Sequence, residues 1–136
     1  MKKTILLTIL GLFFIGCVPK QLYHWGNYSQ TLYTYKKEAT NEAFQAHYQE
    51  LLEIIKESEK RTLRVPPGVH GELGYLQLTL GKADEALLNF NKEKELYPES
   101  RVLMDRLILK TTKSSIKEVK YQELGKDPVE KEGGKL

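Results

Sequence analysis

The chain is poor in the residues that crosslinking and catalysis use. It has one cysteine, Cys17, so no disulfide can form within it. Its three histidines, His24, His47 and His70, are scattered and show no metal-ligand spacing. No GxSxG, phosphate-binding loop or HExxH occurs. Glu50, Glu53 and Glu57 run along one helical segment, as a solvated face does. No catalytic residue, metal ligand or cofactor is therefore expected. The net charge is only +3, far from the dense basic surface of a nucleic-acid binder. No apolar run reaches the roughly 20 residues that span a bilayer. At 136 residues there is room for one domain, and 29% charged residues suit a helical one.

What the chain does have begins at its N-terminus. MKKTILLTILGLFFIG places two lysines before an apolar stretch, Ile5 to Ile15, with the charge and length of a secretory signal. The run closes in Phe14-Ile15-Gly16-Cys17, which resembles the bacterial lipobox, with Phe14 in place of the usual leucine. That resemblance implies cleavage after residue 16, diacylation of the Cys17 sulfur and acylation of its new amino group. One acyl chain holds a membrane only marginally, whereas two or more anchor stably, at about 0.8 kcal/mol per buried methylene. Val18 follows Cys17 where inner-membrane lipoproteins of enterobacteria carry aspartate, so the outer membrane is the expected destination, facing the periplasm. Without Lys2 and Lys3 the side chains are nearly balanced, 19 basic against 18 acidic.

An aromatic stretch follows, with Tyr23, Trp25, Tyr28, Tyr33 and Tyr35 close together. Gly26-Asn27 marks a turn, and Tyr28, Leu32 and Tyr35 recur at helical spacing. These rings can pack inside, sit at a membrane boundary, or form a surface for a partner or a glycan. Residues 41–61 form the clearest helix, with Phe44, Tyr48, Leu51 and Ile55 on one stripe, broadened by Leu52 and Ile54. His47 beside the stripe is expected to be packed rather than catalytic. Pro66-Pro67-Gly68 ends this unit, with Pro67 suited to the first turn of the next helix.

Residues 67–100 match the 34-residue tetratricopeptide period. Leu73-Gly74 fits the first repeat helix, Gly81 the turn, Ala86 and Phe90 the second helix, and Pro98 its end. Small residues at Gly74 and Ala86 let two helices approach closely. His70, Gln77 and Glu93 depart from the residues usual in that repeat. One repeat cannot bury its own apolar faces, so a helix at about residues 101–110, with Ser100 as N-cap, is expected to complete the core. The expected fold is all-α, a small antiparallel array of four or five tetratricopeptide-like helices. The boundaries are 1–16 signal, 17–21 anchored N-terminus, 22–110 helical domain, and 111–136 a mostly disordered charged tail with room for a short helix near Ile116 to Leu124.

Three separated segments, LYHWGNYSQTLYTYKKE, LRVPPGVHGELGYL and FNKEKELYPESRVLMDRLI, resemble in order the small bacterial lipoproteins grouped as domain of unknown function 4810. The resemblance implies an outer-membrane lipoprotein without established activity. It also implies neighbours, a lipoprotein like the curli secretion channel and a second small lipoprotein. Two roles are then open. One is a non-catalytic adaptor whose partner surface lies around His70, Gly74 and Gln77, with Trp25, Tyr28 and Tyr33 beside it. The other is a lipoprotein that contacts cell-wall glycan through its aromatic rings.

Overall fold

The computed structural model describes residues 21–124, with side chains through residue 115. The chain turns at Gly26, whose φ of +47° favours glycine, and enters α1 (Tyr28–Glu38). Ala39 in the left-handed region ends α1. Thr40 then caps α2 (Asn41–Lys60), its hydroxyl accepting the Ala43 N–H at 3.2 Å. After an irregular segment, α3 (Val69–Thr79) begins two residues later than the sequence implied. Pro67 and Gly68 form a turn ahead of it, Gly68 holding φ at +89°. Gly81 makes the next turn, into α4 (Ala83–Leu96). Asp84 and Glu85 occupy the first turn of α4 and suit its positive end. A single 3₁₀ turn, Pro98–Ser100, leads to α5 (Arg101–Leu124). Ser100 is not a side-chain cap there, because its hydroxyl donates back to the Tyr97 carbonyl at 2.7 Å.

The described residues are thus all-helical, and each of the five helices packs on the next one in the chain. Short connections make this possible, since they leave each helix little choice but to fold back on its predecessor. The core has two parts. Tyr48, Leu51 and Ile54 of α2 meet Val65 and Val69, Leu73 and Leu76 of α3. Ala86 and Phe90 of α4 meet Met104 of α5, flanked by Leu78, Leu107 and Ile108. The buried stripe of α2 is rotated from the one its apolar residues suggest. Ala43, His47, Leu51, Ile54 and Ser58 are inside, while Leu52 is exposed. α2 is covered by α1 on one side and α3 on another, so polar members of that stripe are enclosed as well.

α5 is longer than the helix expected at about residues 101–110 and runs unbroken to Leu124, taking in the short helix for which the sequence left room near Ile116 to Leu124. The serines and threonines there do not break it. The hydroxyls of Thr111, Thr112, Ser114 and Ser115 each donate to the carbonyl four residues back, at 2.8–3.2 Å. Thr111 is itself buried, so the apolar stripe of α5 gains one more turn. Cys17, the preceding signal-like segment and residues 125–136 lie outside the described residues.

Candidate functional site

The residues that the sequence offered for partner binding separate into two groups. His70, Gly74 and Gln77 line the closed seam between α3 and α4 and are buried. At Gly74 a Cβ would lie 2.7 Å from the Phe90 ring and 3.0 Å from the Ala86 carbonyl oxygen, so only glycine lets α4 come this close. Its role is the approach of two helices, as its spacing suggested. His70 and Gln77 are joined through Asn89 of α4. The His70 Nδ1–H donates to Asn89 Oδ1 at 2.8 Å, Asn89 Nδ2 donates to Gln77 Oε1 at 2.8 Å, and Gln77 Nε2 donates to Glu85 Oε2 at 3.1 Å. This run of hydrogen bonds places a ring proton on Nδ1. Burial, the largest influence, holds the His70 pKa below the ordinary histidine value. These three residues, which the adaptor reading of the sequence placed at a partner surface, form a satisfied polar seam inside the fold.

Trp25 and Tyr33 do reach solvent, at 41% and 60% exposure. Trp25 stands edge-on to Tyr23 and tilted against Tyr28, and Lys37 lies over the Tyr33 ring. Tyr28 is half-buried and does something different. Its hydroxyl donates to Glu72 Oε2 at 2.7 Å. The other Glu72 oxygen lies 3.2 Å from His47 Nε2, an electrostatic contact without hydrogen-bond alignment. The opposite ring nitrogen of His47 meets the Thr31 hydroxyl at 2.9 Å, and the ring stacks on Tyr35. Burial raises the Glu72 pKa, but the His47 ring and the Tyr28 hydroxyl outweigh it and hold the carboxylate below its ordinary value. Burial, with the carboxylate beside it, pushes the Tyr28 phenol well above its own. This network ties α1, α2 and α3 together.

Two further glutamates also join separate parts of the fold, roles that residue spacing did not suggest. Glu50 accepts the Asn27 N–H at 2.6 Å ahead of α1, so it is more than a solvated side chain. Glu93 is buried and accepts the N–H groups of Gly68 at 2.7 Å and Gly71 at 3.2 Å. Gly68 precedes α3 and has no side chain to cap it, so a carboxylate from α4 supplies the missing acceptor. In the sequence Glu93 only departs from the repeat pattern that residues 67–100 resemble, and that departure does not say which donors it meets.

Next to this capped end lies an open cleft of about 770 Å³ between the start of α3 and α5. Tyr75 and Leu103 stand on its walls, 54% and 59% exposed, with buried Met104 beneath. Sequence patterning did not place these two residues side by side. They fall off the buried stripes of their helices, and their side-by-side placement depends on how α3 and α5 meet. Among the described residues, no group of three His, Cys, Asp or Glu side chains is placed to hold a metal. None of the described helices is long and apolar enough to cross a membrane.

Residues 22–107 match the model of a family described as "Domain of unknown function (DUF4810)". No curated protein and no solved structure matches the chain. The matched region contains the first two quoted segments and all of the third but its last residue, Ile108, and the fold brings the second and third together. The Tyr97 hydroxyl donates to the Val65 carbonyl, Arg64 lies 5.0 Å from the centre of the Tyr97 ring, and Glu93 caps the turn at Gly68.

Proposed function

We propose that this chain, which belongs to the domain of unknown function 4810 family, is a non-catalytic adaptor held at the outer membrane by lipid on Cys17. It binds partner proteins of an envelope or secretion assembly related to curli-type export. The partners in view are a lipoprotein like the curli secretion channel and a second small lipoprotein. The observation that carries the binding half is the open cleft beside α3, where Tyr75 and Leu103 leave apolar surface uncovered. A large side chain exposed in a concave site is a common mark of an interaction surface. The lipobox-like Phe14-Ile15-Gly16-Cys17 supports the anchor.

Each half has its own test. Labelling with radioactive palmitate should mark the wild-type chain and not Cys17→Ser. Label persisting in the variant refutes the anchor. Tagged protein purified from detergent-solubilised envelopes should bring the same lipoproteins in a fixed ratio. Recovery of the tagged chain alone refutes the adaptor.

A second reading, contact with cell-wall glycan, rests on Trp25, whose ring is exposed and braced by Tyr23 and Tyr28. Aromatic faces of this kind can stack on sugars. The double change Trp25→Ala with Tyr33→Ala should abolish sedimentation with peptidoglycan on this reading. On the adaptor reading it changes nothing.

A further inference from the structure

A second cleft, of about 970 Å³, continues the first along α5, and Tyr75 and Leu107 line both. Together they make a trough that follows α5 from Ser100 to Ser115. Fifteen residues of helix rise about 22 Å. A partner helix of about four turns matches that length.

The charge of the trough is uneven along its length. Glu72, Glu93 and Glu99 line the first cleft, which no lysine or arginine lines. Glu99 is exposed and makes no salt bridge among the described residues. In the second cleft Asp84 and Glu85 are matched by Lys82 and Lys110. The trough is therefore mostly apolar in its first half, mixed in its second, and negative at the first end. An anionic lipid headgroup is repelled from that end, whereas a lysine or arginine is attracted to it.

We propose that the trough seats an amphipathic helical segment of a partner protein. Its apolar stripe lies on Tyr75, Leu103 and Leu107, and a basic residue sits at the end nearest Glu72 and Glu99. This rests on the adaptor reading and adds the chemistry of the partner. Apolar anchors supply the affinity, and the acidic end fixes direction.

The test uses the full chain in neutral detergent micelles and two labelled 15-residue peptides. One carries leucines at helical spacing with lysines between them, and its twin carries glutamates in place of the lysines. Fluorescence anisotropy, corrected for binding to empty micelles, should show saturable binding of the lysine peptide. That binding should be at least about tenfold tighter than that of its twin. Tyr75→Ala with Leu103→Ala, both on exposed side chains, should weaken it at least about tenfold. Glu99→Gln should narrow the preference by about threefold. Circular dichroism should show the variants folded as the wild type. Equal affinity for the two peptides, or unchanged binding by the double variant, overturns the proposal. So does dimer formation that the double variant abolishes, because a second copy then fills the trough. Partner co-purification that survives the double variant also overturns it and leaves the adaptor reading intact. Absence of any partner from the wild type defeats the adaptor reading itself.

Discussion

The Glu93 carboxylate reaches back 25 residues from α4 to accept the Gly68 N–H, and its second oxygen takes the N–H of Gly71. It does for α3 what a serine or aspartate cap does locally elsewhere. Removing it leaves two donors without their acceptor at a buried helix end. Glu93→Ala is expected to cost about 1–3 kcal/mol in urea unfolding, and Glu93→Gln less, because one amide oxygen still accepts. An alanine variant as stable as wild type would show that water replaces the carboxylate at no cost.

Glu72 makes stability depend on acid. Its folded-state pKa lies below the ordinary value of 4.5. Its stabilising contribution is therefore present above pH 4.5 and is lost as pH falls through the lowered folded value. Glu72→Gln should be less stable near pH 7 by about 1 kcal/mol, given that the carboxylate is partly exposed to solvent. The gap should close in acid. Tyr28→Phe should remove part of the same gap. Urea midpoints between pH 3 and 7 measure both effects.

His70 contributes in a different window. Its folded pKa is depressed below 6.5 by burial. The unfolded chain takes up this proton at higher pH than the folded chain does, so stability is present above pH 6.5 and falls as pH drops through the folded value. His70→Gln does not titrate. The stability advantage of wild type over this variant should shrink between pH 7.5 and pH 5, since other groups are common to both chains. A difference that stays constant with pH would mean that the ring is not held neutral by its surroundings.

The space at Gly74 is closed by both ring and backbone. Glycine inside a helix is intrinsically unfavourable, yet a methyl group here meets both the Phe90 ring and the Ala86 carbonyl oxygen. Gly74→Ala should destabilise by about 1–3 kcal/mol despite its better helix propensity. Thermal unfolding reads the sign. A stabilised variant would mean that α4 moves away from α3 readily.

Much of the fold could be read from residue spacing. The Gly26-Asn27 turn, the α2 boundaries, the Gly74, Ala86 and Phe90 close approach and the stop at Pro98 all follow from local chemistry. What escaped depends on long-range placement. Glu93 caps a helix of which it is not part, and nothing local marks that. His70 and Gln77 looked like open-groove residues, because a polar side chain at a packing position is ambiguous until its partner, Asn89, is located. The extent of α5 was missed because its hydroxyls satisfy themselves on the preceding turn. The trough was invisible for a simpler reason, as Tyr75 and Leu103 are 28 residues apart in the chain and belong to no common stripe.

The adaptor account is tested most directly by photo-crosslinking in living cells. A photoreactive residue is placed at Leu103, in the trough, or at Leu88, which is 66% exposed on α4 and does not line the trough. The account predicts a discrete protein adduct from position 103 and none from position 88, with the adduct peptide drawn from a basic amphipathic helix of a partner lipoprotein. No protein adduct from either position, or equal and diffuse adducts from both, would contradict it.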